Sequence, residues 1–223
     1  MRKLSIVDIE VLQLSAMARN ILSDQVKLIG QLLKNVDNKK RSDASIVGLN
    51  ILMVGAESIC IEIIEGISKG YIVTPLLSLR TLFEIYINIH YIFYHPKHLS
   101  DMKWATKICE DYIKRSCSND CAKSKLNGVP LSKRAEDVDR DDEYKIIYTT
   151  LCNYNHALMQ IVNCGNKKEL KVIQIKMLIY SITFLQDCLT ALCCFFKENN
   201  YDNLMTIIDK IQKFKEFSSS IEI

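Results

Sequence analysis

The chain has 223 residues, a formal net charge of +3 and a hydrophobic share of 48%. That length allows one domain, or one domain with a small appendage, and excludes several full-sized domains. Three prolines and seven glycines suit long helices with few turns, while the slight charge neither demands nor excludes a nucleic-acid partner.

The first helix is predicted over 6–34, where Ile9, Leu12, Leu14, Ala16, Ile21, Leu22, Val26, Ile29 and Leu33 recur at helical spacing. A polar run at 35–41 reads as a loop. Ser42 or Asp43 can cap a second helix that reaches Lys69 and stops at Gly70. Glu62 and Glu65 should face solvent there, whereas Glu57 sits among apolar neighbours and can point inward. The third helix, 74–94, has a clear start. Thr74 can cap its free amides and Pro75 needs no amide hydrogen in the first turn. Pro96 ends it.

A fourth helix is expected over about 101–119. The stretch 122–140, with Gly128, Pro130 and many charges, shows no apolar periodicity and reads as a mobile surface loop. Asp141 or Asp142 can cap a fifth helix at 142–163. The sixth, 168–198, is almost wholly apolar over 175–196. It is long enough to span a bilayer, yet it carries Gln186 and Asp187 near its middle, which favours a central bundle helix over a membrane span. A last amphipathic helix at 201–217 presents Leu204, Ile207, Ile208, Ile211 and Phe214 on one face, and the tail 218–223 should fray. No strand cluster or internal repeat emerges. The fold expected is all-α, an antiparallel bundle of about six or seven helices in one domain.

The third helix holds the most informative pattern. It is apolar on nearly every side, but at about 100° per residue Arg80, Glu84, Asn88 and Tyr91 fall within about 80° of one another. A buried polar stripe is costly unless each member finds a partner. Arg80 and Glu84 can form a structural ion pair. They can equally form a site in which the guanidinium holds an anion and the carboxylate orients a neighbour. On the fifth helix, Tyr148, Cys152, Asn155 and His156 recur at i, i+4, i+7 and i+8. His156 can be a satisfied core histidine or a general acid/base. If the two helices are neighbours, Arg80, Glu84, Tyr148 and His156 make one cluster.

Other chemistry finds less support. Nine cysteines is an odd number, and most lie in apolar helical contexts. Met1-Arg2-Lys3-Leu4 leads into an amphipathic pattern and not an apolar signal core. The expectation is a cytoplasmic protein with reduced, packed thiols. His90, His95 and His98 straddle Pro96, and Cys109, Cys117 and Cys121 lack a CxxC partner, so neither a metal nor a cofactor is expected. No Walker loop, dinucleotide fingerprint, GxSxG or HExxH occurs.

Two motifs together carry a resemblance: Leu79-Arg80-Thr81-Leu82-Phe83-Glu84, and later Tyr148-Thr149-Thr150-Leu151-Cys152-Asn153-Tyr154-Asn155-His156. Over roughly residues 45–195 the chain resembles an all-helical bacterial family known only as a domain of unknown function, whose members carry an Arg-x-x-x-Glu helix and a later Tyr…His helix. It is more loosely similar to the HEPN superfamily, helical bundles of bacterial toxin and antiphage systems, many of them metal-independent ribonucleases. The usual HEPN mark is an Arg, a polar residue, a short gap and a His on one helix. Here Arg80 and His90 point about 80° apart, so Arg80 and His156 would have to meet from separate helices. The resemblance implies an RNA substrate, with His156 as general acid/base, Arg80 stabilising phosphorane-like charge, and Glu84 and Tyr148 orienting them. The competing expectation is a non-catalytic interaction module, homodimeric through its apolar helices.

Overall fold

Asp8 opens the first helix, its carboxylate accepting the Glu10 amide at 3.0 Å, which is why the helix starts two or three residues later than periodicity alone suggests. The computed structural model describes residues 8–35, 44–94, 125–126, 129–152, 167–196 and 201–221. Within them the chain is all-α apart from a two-residue antiparallel ladder. The helices are α1 (Ile9–Asn35), α2 (Ala44–Ser68), α3 (Val73–Tyr94), α4 (Leu131–Asp137), α5 (141–152), α6 (Lys167–Phe196) and α7 (Tyr201–Ser220). The ladder pairs Lys125–Leu126 with Val129–Pro130. The expected helix at 101–119, the far half of the helix expected at 142–163, His95, His98, Cys109, Cys117 and Cys121 lie outside the described residues.

The α2–α3 turn follows from two glycines. Gly70 adopts φ 80°, a left-handed conformation that suits a residue without Cβ and closes α2. Gly66 lets Pro75 of α3 approach so closely that a Cβ would sit 2.8 Å from the ring. The chain thus reverses over 69–72, and α2 and α3 pack antiparallel along their length. α3 begins a residue before Thr74, with the Leu76 amide bonded to the Ile72 carbonyl, and Pro75 still falls in the first turn, where its missing amide costs nothing.

α6 is the central helix, packed against α1, α2, α3 and α7. By length and composition it could cross a membrane, and here Leu178, Ile182, Leu185, Leu189 and Leu192 all line the core. The two polar residues in its middle have different fates. Gln186 is buried and accepts from Gln25 of α1 at 3.1 Å, while the same Gln25 amide donates to the Ile182 carbonyl at 2.9 Å. Asp187 is only half-buried. Lys171, near the start of α6, pairs with Asp8 and Glu10 at the start of α1. With Gln25 and Gln186 in contact further along, α1 and α6 run in the same direction, a parallel pair inside a bundle expected to be antiparallel.

Two expectations about loops need correcting. The stretch 122–140 is not loop throughout, because α4 occupies Leu131–Asp137 and Arg134 within it is fully buried. The tail does not fray at 218: α7 continues to Ser220, with Ser218 and Ile221 buried against the bundle. Most of the α7 face is placed as expected, with Leu204, Ile207, Ile211 and Phe214 in the core and Ile208 left partly outside.

Candidate polar site on the third helix

The polar stripe of α3 finds its partners on α4 and α5. Arg80 and Glu84 stand one turn apart, Nε to Oε1 at 3.5 Å. Tyr148 of α5 comes between them: its hydroxyl accepts from an Arg80 guanidinium nitrogen at 3.1 Å and donates to Glu84 Oε1 at 2.9 Å. The guanidinium also lies over the Tyr148 ring, 5.2 Å from its centroid, an attractive placement for a cation. Phe83 and Tyr144 flank the same ring, with centroids at 5.8 and 5.0 Å. Burial first, and then the Glu84 charge, push the Tyr148 phenol well above its ordinary range. It keeps its proton at neutral pH and acts as donor or positioner, not as base. The side chain of Arg80 is 22% exposed and that of Glu84 7%, so Arg80 forms the open edge of the trio.

One to three turns further along α3 lies a second group. Arg134 of α4, the largest fully buried side chain among the described residues, donates to Asn88 Oδ1. The Tyr86 hydroxyl donates to Glu143 Oε2 at 2.8 Å, and Glu143 Oε1 pairs with Arg140 at 3.1 Å. Arg140 sits over the Tyr86 ring, 5.7 Å from its centroid. Burial, then Glu143, raise the Tyr86 phenol as well. His90 meets the Tyr86 ring edge-on at 4.8 Å. Burial first, and the Arg140 charge second, push its imidazole down to about 4, so it is neutral at pH 7. Among the described residues its Nε2 is buried with no hydrogen-bond partner. Asp187 of α6 faces this group, and burial raises its carboxyl above the ordinary value.

The backbone that delivers these partners is unusual. Asp139 has φ 56°, a left-handed conformation tolerated by Asp, and it turns the chain between α4 and α5. α5 then winds as a π-helix over Tyr144–Tyr148, a rare form that is frequent at functional sites. Its wider turn stacks Tyr144 on Tyr148 and aims both at α3.

The structure therefore brings Arg80, Glu84 and Tyr148 together, while His156 lies outside the described residues. Tyr91 is buried at the end of the stripe. Arg134, Arg140, Glu143 and Tyr86 were missed as members. One signal for Arg134 was available: Leu131, Ala135 and Val138 recur at i, i+4 and i+7, an apolar helical face on which Arg134 falls. Two clefts among the described residues lie away from this group. One, of about 270 Å³, lies between α1 and α2 and is lined by Arg19, Leu22, Val26, Glu57 and Ile61. The other, of about 220 Å³, lies between α1 and α7 beside Asp24 and Lys210. Among the described residues no cluster of His, Cys, Asp or Glu has the arrangement of a metal site. No protein-family model, curated protein or solved structure matched the chain.

Proposed function

We propose that the chain is a HEPN-like helical protein acting on RNA in bacterial toxin or antiphage defence, and that Arg80 is its phosphate-holding residue. The observation that carries this reading is the fixed, partly exposed guanidinium. Glu84 and Tyr148 orient it from within the protein, and its side chain keeps 22% of its surface exposed. A planar fork held this way matches a phosphate in two places and needs little reorganisation when charge develops. Metal-free cleavage of RNA has a simple balance. The ribose 2′-oxygen loses its proton to a base and bonds to phosphorus, the bond from phosphorus to the 5′-oxygen breaks, and an acid protonates that leaving oxygen. Tyr148 retains its proton and so serves as a positioning residue. His156 takes the acid/base role in this reading. The test is incubation of full-length protein with RNA in EDTA, for wild type, Arg80→Lys, Tyr148→Phe and His156→Ala. Wild type should cleave and His156→Ala should lose about 100-fold or more. Absence of cleavage by wild type, or equal cleavage by all four, would sink the assignment.

A second reading has its own observation. On α2, Ile51, Val54 and Ile61 are 49%, 54% and 41% exposed and share one face at helical spacing. An apolar stripe of this kind favours a homodimeric interaction module. Sedimentation of wild type beside Val54→Lys decides it: a dimer that the lysine converts to a folded monomer supports the interface, and a monomeric wild type removes it.

A further inference from the structure

Residues 131–152 are attached to the bundle differently from the helices beneath them. The long helices meet through aliphatic and aromatic side chains. The 131–152 segment contributes only Leu131, Ala135, Val138 and Leu151 to the buried apolar set, and one of these is a single methyl group. Tyr144, Ile147 and Tyr148 also pack against the core but are only partly buried, and the hydrogen bonds that tie the segment to α3 join Arg134 to Asn88, Glu143 to Tyr86, and Tyr148 to Arg80 and Glu84. Polar anchors impose geometry but contribute modest net stability, since water offers the same groups new partners once they separate. Buried apolar surface gains nothing comparable on exposure. The same segment contains the left-handed Asp139 and the π-turn, both costlier than regular helix. Among the described residues the closed arrangement also leaves His90 Nε2 buried without a hydrogen-bond partner, a penalty relieved when water or a ligand reaches it.

We infer that residues 131–152 are a cover that opens as a unit, and that opening bares Arg80, Tyr86, Asn88 and His90 on α3 to a phosphate-bearing ligand. The ligand half of this inference rests on the reading of Arg80 given above, whereas the opening half does not. In the closed state Tyr148 occupies the inner side of the Arg80 guanidinium. In the open state that side is available, and the phenol hydroxyl is the latch.

Hydrogen exchange of the full-length protein, read by mass spectrometry, separates the two halves. Amides of 131–152 should exchange about 10-fold or more faster than those of α2 and α6, as expected of a subglobal opening. Tyr148→Phe, which removes bonds broken on opening, should accelerate 131–152 about 5-fold or more. If 131–152 exchanges at the rate of α2 and α6 in the wild type, or if Tyr148→Phe leaves its rate unchanged, the cover is overturned. Two probes are then added separately, a single-stranded RNA oligonucleotide and inorganic pyrophosphate. Altered protection of α3 and 131–152 with both supports the ligand half. A response to pyrophosphate alone keeps the anion site and removes RNA as its ligand. Silence with both overturns the ligand half, and the opening stands or falls on the first comparison.

Discussion

Tyr148 is the residue on which the two helical motifs meet. Replacing it by Phe keeps the ring between Phe83 and Tyr144 and removes both hydroxyl bonds. One of those bonds runs to a carboxylate, so the expected loss is about 1–3 kcal/mol. Arg80→Ala leaves Glu84, which is largely buried, with one fewer cationic neighbour. Removing one member of a buried pair costs about 3–5 kcal/mol, and the partial exposure of Arg80 places its loss at or below the low end of that range. Because both changes remove parts of one network, the double variant should lose less than the sum of the two. Urea denaturation of the four proteins measures this, and strict additivity would mean that Tyr148 and Arg80 act independently. The i, i+4 spacing of Arg80 and Glu84 was legible in the sequence, as was the need of a buried stripe for partners. Naming Tyr148 followed from pairing two polar faces. Arg134 was not found because its neighbours Lys133, Glu136 and Asp137, three of the six residues within three positions of it, make the local stretch read as solvated.

At the level of elements, long periodic helices were the easiest to read. α2, α3 and α6 appear within a few residues of their expected bounds because Gly70, the Thr74-Pro75 start and the unbroken apolar run of α6 each leave a strong local mark. α4 was missed because it is short, carries Lys133, Arg134, Glu136 and Asp137, and follows Pro130 and Gly128, so turn and charge signals outweighed the three apolar residues that bury it. The π-turn has no signal that single-sequence spacing can supply. A π-helix changes the phase of every residue after it by widening one turn, and only the packed structure shows that the phase places Tyr144 and Tyr148 on α3. The same limit applies to the parallel pairing of α1 and α6. Short connections impose antiparallel neighbours on consecutive helices, but a contact between helices far apart in the chain is decided by which faces remain, here a glutamine on each.

For the whole molecule, acid is the condition that reports on the polar interior, and His90 sets the sign of the response. Its imidazole is held down at about 4 by burial and then by Arg140, against an ordinary value near 6.5 in the unfolded chain. Between those values the unfolded state binds more protons than the folded state, so stability falls as pH drops through this window and is undiminished above it. The full effect is on the order of 3 kcal/mol at the acid end. The groups facing His90 do not all act alike. Tyr86 on α3 carries no charge in this range, Arg140 before α5 repels a second cation, and Glu143 is already engaged by Tyr86 and Arg140. Asp187 on α6 works in the opposite direction: burial raises its carboxyl above the ordinary 3.8, so the folded state takes up that proton first and recovers stability as pH falls from that raised value to the ordinary one. The net loss should therefore be steepest between about pH 6.5 and 5, in the upper part of the histidine window. His90→Phe preserves an aromatic edge against Tyr86 and has no proton to gain. Thermal or urea denaturation at pH 7, 6, 5 and 4 should show wild type losing stability across the first two steps, with the variant flatter over the same steps. Parallel curves for the two proteins would assign the acid sensitivity elsewhere and show that the imidazole beside Arg140 is not the group that titrates.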